Sequence, residues 1–135
     1  MISQIKQLQD RVFNRILKEE GIFEVNGTQG KILFALWKDE KMSLIELSQK
    51  TSLAKTTLSA MVERMKKDDL VIVEESQGDR RSILIQLSAK TLSLEEKFNR
   101  ATKRITDIFY RGFDEEKATE LDRLLNIIKE NLKNE

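Results

Sequence analysis

From Ile2 onward the apolar residues Ile2, Ile5, Leu8, Val12, Phe13, Ile16 and Leu17 recur at steps of three and four. That spacing lays them along one stripe of a helix over residues 2–19, and Gly21 supplies a stop just beyond it. A second helix is predicted after Asn26. Gln29, three residues on, completes a capping box, and Ile32, Leu33, Leu36 and Trp37 form the buried face. Ser43-Leu44-Ile45-Glu46 repeats the signal. The Ser43 hydroxyl is placed to accept from the N–H of Glu46, and Glu46 to reach back to the N–H of Ser43. A short helix then runs to about Thr51, the chain breaks at Ser52-Leu53-Ala54, and a longer helix runs from Lys55 to about Lys67 with Leu58, Met61, Val62 and Met65 inward. Two helices joined by so short a turn make a helix-turn-helix.

After Asp68-Asp69 the pattern changes. Leu70-Val71-Ile72-Val73 and Ser82-Ile83-Leu84-Ile85-Gln86-Leu87 are β-rich, and the second alternates apolar with polar. Ser76-Gln77-Gly78-Asp79 between them is turn chemistry, so a hairpin with a charged tip is expected. A hairpin directly after a helix-turn-helix is a wing. Ser88 is placed to cap one long helix to about Arg111, with Leu92, Phe98, Ile105, Ile108 and Phe109 on its apolar side. Gly112 breaks it, and Asp114 caps a last helix carrying Leu121, Leu124, Leu125, Ile128 and Leu132. The expected fold is mainly α (α+β), a single domain of two lobes. Residues 26–88 form a winged helix-turn-helix lobe with its wing at about 71–87, and residues 1–25 and 89–135 form a helical lobe.

Composition removes more than it adds. The chain has 135 residues with no cysteine and no histidine. It therefore has no thiolate nucleophile or thiol sensor, no imidazole base and no histidine metal ligand. No cofactor and no metal site are expected. The carboxylates fall as neighbours, Asp68-Asp69, Glu74-Glu75, Glu95-Glu96 and Glu115-Glu116. Adjacent side chains point in different directions and rarely converge on one substrate. The glycines are scattered, so there is no phosphate loop, and an enzyme is not expected. No apolar run approaches the roughly 18 residues of a membrane span, and the first residues lack the features of a signal peptide. A cytoplasmic protein without membrane contact is the expectation.

The net charge of +1 is uninformative, so charge placement decides. The second helix of the helix-turn-helix opens with Lys55, Thr56, Thr57 and Ser59 and meets no acid before Glu63; Arg64, Lys66 and Lys67 follow. Such a face can approach phosphates and base edges of double-stranded DNA. An ordinary solvated helix face has the same composition, so the helix alone does not decide. At the wing tip Asp79-Arg80-Arg81 presents two guanidinium groups suited to the negative potential of a minor groove. Asp79 is suited to orient one of them through a paired carboxylate.

The stretch from Met42 to Leu87 resembles the DNA-binding lobe of MarR-type regulators. The matching residues are Ser43-Leu44-Ile45-Glu46-Leu47-Ser48, Lys55-Thr56-Thr57-Leu58, Val62-Glu63-Arg64-Met65, Leu70-Val71, Asp79-Arg80-Arg81 and Ile85-Gln86-Leu87-Ser88. The resemblance implies a homodimer with interlocked terminal helices, gripping a palindromic operator. Recognition helices lie in adjacent major grooves, wing arginines lie in the flanking minor grooves, and a small anionic or phenolic ligand often weakens binding. Repression is the expected mode. Three positions depart from the family pattern. Ser52 and Asp69 stand where glycine is usual, and Ala54 stands where a serine cap is usual.

Dimerisation has independent support. Met1, Ile2, Ile5, Ile127, Ile128 and Leu132 are more apolar surface than a small lobe can cover alone. Phe13, Phe34, Trp37 and Tyr110 are candidate pocket residues for an aromatic or anionic effector, although aromatics at helical spacing are more often core. The competing reading is a winged-helix adaptor that binds protein and not DNA.

Overall fold

The computed structural model describes the backbone of residues 1–76 and 79–135, and the side chains of 1–75 and 83–135. The elements in order are α1 (Ile2–Glu19), α2 (Gly27–Lys38), β1 (Met42–Ser43), α3 (Leu44–Thr51), α4 (Lys55–Lys67), β2 (Val71–Ser76), β3 (Asp79–Leu87), α5 (Ala89–Leu92), α6 (Glu95–Phe109) and α7 (Glu115–Lys133). Helices dominate, and the strands form one antiparallel sheet in the order β1-β3-β2.

Helix ends explain most of the boundaries. At the end of α1 the N–H of Ile22 donates to the Leu17 carbonyl at 2.8 Å and that of Gly21 to Lys18 at 3.0 Å. Gly21 sits at φ +82, and Leu17 and Ile22 are buried together, the hydrophobic contact that accompanies this turn. The C-terminal turn of α4 repeats the motif without glycine. Leu70 donates to Met65 at 2.8 Å and Asp69 to Lys66 at 3.1 Å, with Asp69 at φ 59. Ser52, in the turn between α3 and α4, is also at φ 59. Two of the three departures from the family pattern therefore occupy left-handed backbone that favours glycine. The third, Ala54, is the N-cap of α4 and makes no side-chain capping bond.

The capping box of α2 is complete: Asn26 accepts from the Gln29 N–H and Gln29 accepts from the Asn26 N–H. The expected box at Ser43 is only half formed. Ser43 accepts from the Glu46 N–H at 3.1 Å, but its hydroxyl, not its N–H, donates to the Glu46 carboxylate. Ser43 is also the second residue of β1, paired with Leu84, and its neighbour Met42 pairs with Ile85. That short strand was not expected; two residues are too few to show alternation. The long helix from Ser88 to Arg111 is corrected as well. Ser88 caps only the single turn of α5, the chain bends at Ser93-Leu94, and α6 begins at Glu95. Leu92, expected on the apolar side, is exposed. The bend arises because α5 is bonded to the turn after α4 and so follows that turn's direction.

One contiguous cluster of buried residues joins Leu47, Leu58, Val62, Met65, Leu70 and Ile85 around the sheet to Ile32, Leu33 and Leu36 of α2. It continues through Ile16 and Leu17 of α1 to Phe98, Ala101 and Ile105 of α6. On the outside of the α1–α6 contact, Arg104 bonds Glu19 at 2.6 Å and Glu20 at 3.2 Å, and Arg100 bonds Glu20 at 3.3 Å. Exposed pairs of this kind contribute little individually. α7 differs from the rest. It has no buried residue and packs along no other described element, although Leu121 and Leu125 edge the cleft described below.

Candidate nucleic-acid interface and ligand cleft

Leu58, Val62 and Met65 turn one side of α4 into the core, which leaves the opposite side outward. Lys55, Thr56, Thr57, Ser59 and Arg64 are all exposed, and Glu63 is exposed beside Arg64. Because Ala54 offers no side-chain acceptor, the first N–H groups of α4 keep their donors for an outside group. The helix N-terminus also carries a partial positive charge. Ahead of it α3 is fixed internally: the Ser48 hydroxyl donates to the Leu53 carbonyl at 2.8 Å, and that of Thr51 to Leu47 at 2.6 Å. Helix α4 thus starts from a turn held by side-chain hydrogen bonds. Beyond it β2 and β3 pair from Val71↔Leu87 to Glu75↔Ile83, with a register shift between Glu75 and Ser76. Ile85, the inward centre of the sheet, is fully buried. The wing expected from the sequence is present as a hairpin. The side chains of Asp79, Arg80 and Arg81, expected at its tip, lie outside the described residues.

A cleft of about 620 Å³ opens between α2 and the terminal helices α1, α6 and α7. Its walls are largely apolar, with Phe13, Phe34, Phe98 and Phe109 among them, and Lys6 and Lys31 also line it. The size lies within the roughly 300–1,000 Å³ range of small-molecule sites. Of the expected pocket residues, Phe13 and Phe34 line this cleft, and Tyr110 lines a smaller cavity of about 240 Å³ that shares Ile105 and Phe109 with it. Trp37 lines neither. Its ring packs on Phe98 with centroids 4.8 Å apart, and its indole N–H is buried without a partner. Phe98 also meets Phe13 edge to face at 5.9 Å. The sequence reading missed Phe98, Phe109 and Gly30 as lining residues. A detectable signal existed: of Gly27 and Gly30, one helical turn apart on α2, Gly27 leaves room against Phe13 and Asn14 of α1 and Gly30 against Phe98 of α6. A Cβ on Gly30 would lie 2.7 Å from the Phe98 ring.

Tyr110 has a second role. Its hydroxyl donates to the Asp122 carboxylate, joining the end of α6 to α7 across Gly112, which sits at φ +88. That bond, followed by burial and the Asp122 charge, raises the Tyr110 pKa above 10.0. Among the described residues no group of histidine, cysteine or carboxylate side chains is placed to hold a metal ion. No helix among the described residues is long and apolar enough to cross a membrane.

A helix-turn-helix whose second helix exposes basic and hydroxylic residues, followed by a β-hairpin, defines a winged helix-turn-helix fold. A family profile described as "MarR family" matches residues 25–83. The chain is 26% identical over 112 residues to the HTH-type transcriptional regulator MgrA of Staphylococcus aureus, covering 83% of this chain and 73% of that one. The fold is similar to a mutant MarR from E. coli complexed with operator DNA, with TM-score 0.82, 19% identity and coverage of 94% and 89%. It is also similar to Bordetella bronchiseptica BpsR, whose DNA binding is regulated by 6-hydroxynicotinic acid, with TM-score 0.78, 20% identity and coverage of 95% and 98%. The chain thus resembles the MarR family over residues 25–83, and the curated relative it matches is a transcriptional regulator.

Proposed function

We propose that the protein is a homodimeric, sequence-specific double-stranded DNA-binding repressor that acts on a palindromic operator and is released by a small aromatic or anionic effector. The observation that carries this reading is the outward face of α4: Lys55, Thr56, Thr57, Ser59 and Arg64 are exposed together above an uncapped helix start. In this reading Lys55, Thr56, Thr57 and Ser59 meet base edges and phosphates in the major groove. Arg64 contacts the backbone further along, and Arg80 and Arg81, oriented by Asp79, enter the minor groove. The division into a winged lobe at 26–88 and a dimerisation lobe at 1–25 and 89–135 belongs to the same proposal, because the terminal helices carry the uncovered apolar faces. The effector occupies the cleft, its ring against Phe13 and Phe34 and its negative charge toward Lys31, since Lys6 is paired with Asp10, which also lines the cleft.

Selection of random double-stranded DNA on the purified protein, followed by titration of the winning duplex at two salt concentrations, tests it. The expected winner is a palindrome with half-sites about 10 base pairs apart. Its affinity should fall steeply with salt, since each neutralised phosphate releases counterions. No enriched sequence, or an affinity indifferent to salt, would refute the DNA reading in favour of a protein-binding adaptor.

A further inference from the structure

Among the described residues the buried polar side chains are Gln29, Ser88 and Thr91. Gln29 is accounted for by the capping box of α2. Ser88 and Thr91 stand together where the C-terminal turn of α4, the end of β3 and the start of α5 meet. The Ser88 hydroxyl donates to the Asp69 carbonyl at 2.7 Å and accepts from the Thr91 N–H at 3.3 Å. The Thr91 hydroxyl donates to the Leu70 carbonyl at 2.6 Å, and the Ser88 N–H donates to the same carbonyl at 3.1 Å. Both acceptors belong to the turn that holds Asp69 at φ 59.

Buried hydroxyls are costly unless paired. Besides their mutual contact at 3.0 Å, both are paired to backbone, so they act as struts between a strained turn and the helix that leaves it. The joint is also the short route between the two halves of the molecule. α4 ends at one side of it. On the other side α5 leads through Ser93-Leu94 to α6, whose Phe98, Ala101 and Ile105 are buried with residues of α1. The corner between α5 and α6 has no side-chain cap of its own, because Leu94 makes none. Besides the shared core that runs through α2 and α1, α4 is thus tied to the helical lobe at Ser88 and Thr91.

We infer that Ser88 and Thr91 are positioning residues that fix the angle of α4 to the helical lobe, and thereby the separation of the two reading helices in a dimer. The inference rests on the DNA-binding reading above. Its signature is selectivity for half-site spacing, which a role in overall stability alone would not change.

The probe is the palindromic duplex selected by the unaltered protein, together with copies in which the half-sites are moved one or two base pairs closer or farther apart. The unaltered protein should lose about tenfold or more in affinity when the spacing changes. Thr91→Val removes the donor to Leu70 and should flatten that dependence to within about threefold, while preference for the half-site sequence is kept. Thr91→Ser keeps the hydroxyl and should restore the original spacing profile. A Thr91→Val protein that keeps that profile, or weakens equally at every spacing, overturns the inference. Should Thr91→Val fail to fold by circular dichroism, Ser88→Ala carries the same comparison, and failure of both would show a purely structural role. An unaltered protein with no preference for a palindrome over unrelated DNA defeats the DNA reading itself, a separate outcome.

Discussion

At the scale of single residues, left-handed backbone is the clearest expense in the chain. Ser52 and Asp69 both hold φ 59, a conformation costing a residue other than glycine about 1–2 kcal/mol, less for aspartate. Ser52→Gly should therefore stabilise the protein by about 0.5–1 kcal/mol after the extra unfolded-state freedom of glycine is subtracted. Asp69→Gly should gain less. Urea denaturation of the two variants beside the parent checks both the sign and the order. Tyr110, the single tyrosine, offers a second test. Its bond to Asp122 raises its pKa above 10.0, so the contribution to stability is fully present below that value and is lost as pH rises through the folded pKa. An ultraviolet titration should show the phenol ionising later than a free tyrosine, and Asp122→Ala should move it back. Much at this scale was legible in advance. Ser52, Ala54 and Asp69 were marked by their departure from a pattern, because a missing glycine or a missing cap is a local property. The hydroxyl struts at Ser88 and Thr91 were not legible beyond the Ser88 cap, since their acceptors at Asp69 and Leu70 lie some twenty residues back along the chain.

At the scale of elements, periodicity located every long helix and both wing strands, because each carries enough apolar residues to show its repeat. It failed where an element is shorter than its own period. β1 has two residues and α5 four, and both owe their form to β3 and the turn after α4. Helix α4 and its exposed hydroxylic start were equally legible. The cleft was legible only in part, through Phe13 and Phe34, because the contributions of Phe98 and Gly30 depend on how α2 crosses α6. That crossing can be tested. Gly30→Ala would bring a methyl group 2.7 Å from the Phe98 ring, and Phe98 is held by Phe13 and Trp37. Overpacking of this kind costs about 1–3 kcal/mol. It should outweigh the gain of about 1 kcal/mol from the better helix former. A lower melting temperature for Gly30→Ala is expected; a higher one would mean that α2 and α6 slide apart freely.

At the scale of the whole molecule, the uncovered faces dominate. In the single chain Ile127 and Ile128 of α7 are 45% and 46% exposed, and Leu132 is 72% exposed; Met1 and Ile2 of the N-terminus are 90% and 72% exposed. Large apolar side chains left this exposed on both terminal helices are what an interaction surface would cover. Isologous pairing through the terminal helices is the arrangement proposed above to cover them. Ile128→Lys should therefore shift the protein to monomer in analytical ultracentrifugation and weaken binding to the palindromic duplex, leaving each winged lobe folded. A dimer that survives the substitution would place the contact elsewhere. The sequence announced these faces as unsatisfied, but the angle of α7 depends on Gly112 and on the Tyr110–Asp122 bond, which no periodicity encodes.

The packing of Trp37 has a spectroscopic consequence. It is the only tryptophan, and its indole packs at a tilt against the Phe98 ring, which also lines the cleft. A molecule entering the cleft presses on Phe98 and so alters the surroundings of one fluorophore. The protein thus carries its own optical reporter of cleft occupancy, readable without a label while DNA is bound or absent.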